Sequence, residues 1–158
     1  MKSVLTCAAL LALMTAPSMA ADYTSFTLST TANASPEKAW AKIGGFCAIH
    51  DWLDTSCVLT GNGDVGSIRT INDGKVTEMM VARTPFSYTY IQPTNYANLY
   101  HGTLAVEPDG AGKSKITYTF LYDAEPLGDA DAKAKARQGR TDRFNGALAK
   151  MKSMAEAP

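Results

Sequence analysis

Histidine is scarce in this 158-residue chain, with two copies; cysteine occurs three times, and neither sign of charge is in excess, 15 basic residues standing against 15 acidic ones. Each shortage excludes something. A structural zinc site takes about four His and Cys ligands at short characteristic spacings, and no second Cys/His pair stands at such a spacing here. Nucleic-acid binders carry a basic patch or stripe to neutralise phosphates, and the only basic cluster, Lys133 to Arg143, reads as the solvated face of a helix. There is no GxSxG elbow, phosphate loop, HExxH or dinucleotide fingerprint. The run Gly61-Asn62-Gly63-Asp64 lacks the downstream ligands of a calcium loop and reads as a turn. Beyond Ala20 no apolar run approaches the roughly 20 residues of a membrane span, so no stable membrane insertion is expected.

What is present begins with an address. Lys2 gives a positive start, Val4 to Ala16 is almost wholly apolar, and Pro17-Ser18-Met19-Ala20 ends on the small residues that a signal peptidase accepts. Residues 1–20 are therefore expected to be a signal peptide, leaving one exported domain over 21–158, periplasmic or secreted, with 14 basic residues against 15 acidic. Cys7 leaves with the signal, so Cys47 and Cys57 remain as an even pair. An oxidising compartment allows them to bond; two buried free thiols are the alternative. A bridge closing so short a loop contributes roughly 2–3 kcal/mol, provided the Cα atoms come within about 7 Å.

Tyr23 to Thr31 alternates, with Phe26 and Leu28 on one face and Ser25, Thr27 and Ser29 on the other, the period of a half-buried strand. Ser35-Pro36-Glu37-Lys38 then places a capping hydroxyl before a proline at the first helical position, and Ala39, Trp40 and Ile43 make an apolar stripe that Gly44-Gly45 ends. Phe46 to Leu53 reads as a second short helix. From Cys57 onward come six strand-like runs: Cys57 to Thr60, Gly66 to Ile71, Lys75 to Ala82, Phe86 to Gln92, Asn98 to Glu107 and Lys113 to Tyr122. Short breaks such as Asn72-Asp73-Gly74 and Pro108-Asp109-Gly110 imply antiparallel hairpins. Asp129 caps a long final helix with Phe144, Leu148 and Met151 on one face, in which Gly139 and Gly146 each cost about 1 kcal/mol against alanine and suggest close approach to the sheet. An antiparallel sheet of this size needs one face covered, and only the last helix is long enough to do it.

In their order and spacing these segments resemble the START-like, or polyketide cyclase/dehydrase, superfamily (SRPBCC), which includes the birch-pollen allergen. The residues that carry the resemblance are Ala34-Ser35-Pro36-Glu37-Lys38-Ala39-Trp40, Ile43-Gly44-Gly45-Phe46 leading to Trp52, Gly66-Ser67-Ile68-Arg69, Glu78, and the hairpin Tyr88-Thr89-Tyr90. The resemblance implies an α+β helix-grip fold: a curved seven-stranded antiparallel sheet wrapped around a long C-terminal helix, two short helices after the first strand, and a cavity for an apolar ligand. It leaves the chemistry open, because the family includes carriers, receptors and cyclases. An exported subset also resembles the periplasmic accessory protein that accompanies methanol dehydrogenase.

The expected ligand-binding residues are Trp52, Arg69, Glu78, Tyr88, Tyr90, Tyr100 and Tyr118. By alternation Phe86, Tyr88 and Tyr90 share a face, as do Ile116, Tyr118, Phe120 and Tyr122, and Tyr100 faces with Leu104 and Val106. Inward, these rings line a site for a flat ligand or simply pack a core. Arg69 and Glu78 come within cross-strand reach through Asn72-Asp73-Gly74. Facing inward they form a polar anchor, and facing outward a surface pair. His50, Asp51 and His101 alone invite acid–base chemistry near neutral pH, but adjacent side chains on a helix diverge by about 100° and no third member is evident. The expected function is a periplasmic carrier of a small hydrophobic or aromatic molecule, with no cofactor, no metal and no catalytic residue assigned. A cyclase/dehydrase-type enzyme and an accessory protein of a periplasmic oxidoreductase are the alternatives.

Overall fold

A computed structural model describes residues 21–95 and 99–158. The segment read as a signal peptide lies outside the described residues, as does the expected start of the sixth strand at Asn98.

Seven strands form one antiparallel sheet: β1 (Tyr23–Ala32), β2 (Cys57–Thr60), β3 (Ile68–Ile71), β4 (Val76–Thr84), β5 (Ser87–Ile91), β6 (His101–Pro108) and β7 (Ser114–Asp123). Their spatial order is β1-β7-β6-β5-β4-β3-β2, so the first two strands in sequence are the two edges. Two helices, α1 (Pro36–Ile43) and α2 (Ile49–Leu53), carry the chain from one edge to the other, and α3 (Ala130–Glu156) packs against β1, α1 and α2. This is the α+β helix-grip architecture that the family resemblance implied.

Local chemistry accounts for the boundaries. The Ser35 hydroxyl accepts from the Lys38 N–H at 3.3 Å with Pro36 at the first turn of α1, and the Asp129 carboxylate accepts from the Ala132 N–H at 2.9 Å to open α3. Asn72, Asp73 and Gly74 all have positive φ, the conformation their residue types tolerate, and this closes the β3–β4 turn in the register that pairs Arg69 with Glu78. Strands β5 and β7 alternate as the pattern demanded, with Tyr88, Tyr90, Ile116, Tyr118, Phe120 and Tyr122 all buried. The buried stripe of α3 is Phe144, Ala147, Leu148, Met151 and Ala155.

The crossing between the two edges is pinned covalently. Cys47, in the α1–α2 turn, bonds Cys57 at the start of β2 with the Cα atoms 5.7 Å apart, well within bridging range. One expectation fails. Gly139 and Gly146 are not points of close approach, because a Cβ built at either would meet nothing within 4 Å. Around Gly146 this reflects an open helix face, and around Gly139 it reflects a cleft.

Candidate functional site

Arg69 and Glu78 stand directly opposite each other on β3 and β4, and both point inward, 0% and 3% exposed. Arg69 Nε donates to Glu78 Oε2 at 2.7 Å, and Nη2 lies 2.6 Å from the same oxygen. Nη1 donates to the Phe46 carbonyl at 2.6 Å and to the Tyr88 hydroxyl at 3.3 Å, so the guanidinium ties the sheet to the α1–α2 turn one residue before the disulfide. The rings of Phe46 and Tyr90 cover it, with centroids 4.4 and 4.7 Å from Cζ. Burial works against its charge, but the facing Tyr88 phenol and Glu78 carboxylate outweigh that and raise its pKa above the ordinary arginine value. The other carboxylate oxygen, Oε1, accepts from Gln92 Nε2 at 3.2 Å.

Tyr88, Tyr118 and Tyr122 form a packed interior and not the lining of a hollow. The hydroxyls of Tyr90 and Tyr118 share a hydrogen bond of 2.7 Å. Phe144 of α3 presses on Tyr118 and Phe120 with centroids 4.6 and 4.7 Å away, while Trp52 meets Tyr118 edge-on at 6.0 Å. Contacts this dense leave no room for a ligand among the rings.

A cleft of about 440 Å³ lies at one end of the sheet, between the sheet and α3. Ile49 and Leu53 wall it from α2, Ile71 and Val76 from the β3–β4 hairpin, and Gly139, Arg140, Arg143 and Phe144 from α3. Of the seven residues expected to bind a ligand, Glu78, Tyr90 and Tyr100 line this cleft. Trp52, Arg69, Tyr88 and Tyr118 stand behind them in the core. Sequence reasoning missed the helical wall, since Arg140 and Arg143 were read as part of a solvated basic face.

Burial pushes the phenols upward: Tyr88 is raised, Tyr90 and Tyr118 are well above the ordinary value, and Tyr100 is pushed up to about 12. They are therefore hydrogen-bond donors near neutral pH and not bases. Unfolded tyrosines ionise near pH 10. A group whose folded pKa is raised keeps its full contribution below the unfolded value and loses it as pH rises through the folded one. Stability should thus decline from about pH 10 toward 12, by about 1.4 kcal/mol per pH unit for each phenol still protonated in the fold. In an alkaline titration the phenolate absorbance of these four should appear together with loss of the near-ultraviolet circular dichroism. Their ionisation at pH 10 with the fold intact would contradict this burial.

His50 and Asp51, expected to diverge, instead turn toward each other, Nδ1 and Oδ1 being 3.1 Å apart on the surface with about half of each side chain exposed. His101 Nδ1 contacts the Leu99 carbonyl oxygen at 2.6 Å. Neither histidine lines the cleft. Among the described residues no three His, Cys, Asp or Glu side chains are grouped to hold a metal ion, and no helix is long and apolar enough to cross a membrane.

Residues 23–156 match the model of a family described as polyketide cyclase/dehydrase and lipid transport. No curated protein matches the chain by sequence. Among solved structures, the protein XoxI from Bacillus cereus is similar at 23% identity and a TM-score of 0.64, over 84% of this chain and 94% of that one. The di-domain ARO/CYC protein BexL is similar at 17% identity and a TM-score of 0.65, over 86% of this chain and 51% of its own. Norcoclaurine synthase from Thalictrum flavum is similar at 16% identity and a TM-score of 0.57, over 86% of this chain and 97% of that one. At such identities these likenesses speak for the fold alone.

Proposed function

Because the chain belongs to the polyketide cyclase/dehydrase and lipid transport family, we propose that it is an exported, periplasmic carrier that holds a small hydrophobic or aromatic molecule in the cleft between its sheet and α3. The single observation that carries this reading is the cleft, a space of about 440 Å³ where aliphatic side chains of α2 and the β3–β4 hairpin and Phe144 meet a polar part that includes Glu78, Gln92, Arg140 and Arg143. Its size is at the lower end for small-molecule sites and suits a body of about two fused rings. Tyr100 offers an O–H donor to orient it, while the Tyr90 hydroxyl is engaged with Tyr118. Trp52, Tyr88 and Tyr118 support the wall from behind, and Arg69 acts through Glu78, whose carboxylate it holds in place. Export is supported by the apolar run Val4 to Ala16 ending at Ala20, and the Cys47–Cys57 bridge suits an oxidising compartment.

Gly139 provides the test. It lines the cleft with open space where a Cβ would stand, so Gly139→Leu adds bulk at the cleft wall with no clash at its Cβ and improves the helix. Calorimetric titration with naphthol should show an affinity at least about tenfold weaker in the variant, while its melting temperature is equal or higher. Equal binding by both proteins, or none by the unmodified one, sinks the reading.

An enzyme of the cyclase/dehydrase type is the second reading, and the neutral phenols favour it, since buried O–H donors can polarise a carbonyl. It predicts turnover lost on replacing Tyr100 with phenylalanine, where a carrier loses affinity only. The accessory-protein reading draws on Val58, Leu59 and Val65, exposed around the β2 edge, and co-purification of an oxidoreductase would favour it.

A further inference from the structure

We propose that the molecule held in the cleft carries a carboxylate, received by Arg140 with Arg143 beside it; this rests on the reading of the cleft as a ligand site. Arg140 and Arg143 are three residues apart on α3 and so share a face, and both line the cleft. Arg140 is held flat by stacking: its Cζ lies 4.2 Å from the centroid of Tyr122 and 5.8 Å from that of Tyr100. The stacking fixes the plane of the guanidinium but uses none of its N–H donors. Nη1 is buried and has no hydrogen-bond partner among the described residues, a state that costs free energy unless something pairs with it.

The acids around the cleft do not meet this need. Among the described residues, neither Arg140 nor Arg143 forms an ion pair. Glu78, which also lines the cleft, is taken up by Arg69. Asp142 accepts from Gln138 at 2.8 Å on the helix surface. The cleft lining therefore carries two arginines with no carboxylate paired to either. A planar guanidinium with its face covered and Nη1 unpaired keeps N–H donors for a carboxylate, and Arg143, more exposed, adds charge at the rim. The aliphatic walls and Phe144 take the rest of the molecule, so the class is an aromatic or alicyclic carboxylic acid. This puts the polar anchor of the site on α3 and not at Arg69, which lies in the core behind the lining.

A matched pair of probes separates the anion from the body. In calorimetric titrations at neutral pH, naphthoate should bind the unmodified protein at least about tenfold more tightly than naphthamide, the gain typical of a hydrogen bond to a charged group. Arg140→Gln should erase that preference, weakening naphthoate far more than naphthamide. Arg143→Gln, at an exposed position that folding tolerates, should weaken naphthoate by a smaller factor, about two- to threefold. Arg137→Gln, on a part of α3 that faces Phe26, should change neither. Equal affinities for the two probes in the unmodified protein, or an undiminished preference in Arg140→Gln, overturn the carboxylate while the cleft stands. If neither probe binds, the cleft is no ligand site and the proposal falls with it.

Discussion

Glu78→Gln should cost about 3–5 kcal/mol, the range for breaking a buried ion pair from one side. The two side chains differ by little in shape, so the loss is electrostatic. Arg69 stays fully buried with its remaining contacts, the Phe46 carbonyl, the Tyr88 hydroxyl and three aromatic faces. None of them carries a full negative charge. A protein of this size has about 5–15 kcal/mol in all, so the variant should melt on the order of 10–20 °C lower. Arg69→Met should be comparably harmful, since it leaves a buried carboxylate with only Gln92 as a donor. The pair Arg69→Met with Glu78→Leu removes both charges and keeps an apolar volume, and should cost far less than the two single changes added together. Thermal or urea melts of the four proteins give that coupling directly. A cost below about 1 kcal/mol for Glu78→Gln would mean that the pair behaves as a solvated one.

That pair also marks the limit of what the sequence discloses. The strands were legible because side chains alternate and turns are chemically conspicuous, and Asn72-Asp73-Gly74 even implied the register that faces Arg69 with Glu78. Direction was not legible in β3, where Ile68 and Ile71 fall on opposite faces and so vote for both orientations of Arg69. The answer lay in β4 and β5. Glu78 shares its parity with the buried Met80, and their face continues into Tyr88 and Tyr90, so the inward side is decided by neighbours two strands away. The bridge between Cys47 and Cys57 was open on spacing alone, because the reach depends on how α2 turns the chain back to the sheet.

The cleft was the harder case, and the reason is volume. Alternation shows which rings face inward but not whether they touch, and here Trp52, Tyr88 and Tyr118 pack so closely that the free space moves to the end of the sheet. One signal was available in α3. Ala136, Arg140, Arg143 and Ala147 follow helical spacing and run straight into the buried stripe of Phe144 and Leu148. A basic face that continues an apolar one, with Gly139 in its midst, is a different pattern from a basic face lying opposite it. Charge content alone hides the distinction.

Gly102→Ala is the change with the next largest expected effect, and it tests the aromatic interior itself. Gly102 pairs with Tyr90 across β5 and β6, and the Tyr90 ring lies over it so closely that an added Cβ would overlap Cζ and Oη. The glycine backbone has no positive φ here, so an alanine could adopt it, and the whole cost is steric. Tyr90 has nowhere to move: Tyr88 and Tyr100 flank it with centroids 6.4 and 6.2 Å away, the Arg69 guanidinium covers one face, and its hydroxyl is bound to Tyr118. A destabilisation of about 3 kcal/mol, the upper end for overpacking, should follow, together with weaker naphthol binding because Tyr90 also lines the cleft. Truncating the ring in the same chain, with Tyr90→Leu, should recover part of the loss. The identical substitution at Gly139 should have the opposite sign, a gain of up to about 1 kcal/mol, since there a Cβ meets nothing and the helix improves. Chemical melts of the two alanine variants side by side make the comparison, and a neutral Gly102→Ala would show that the ring is free to give way.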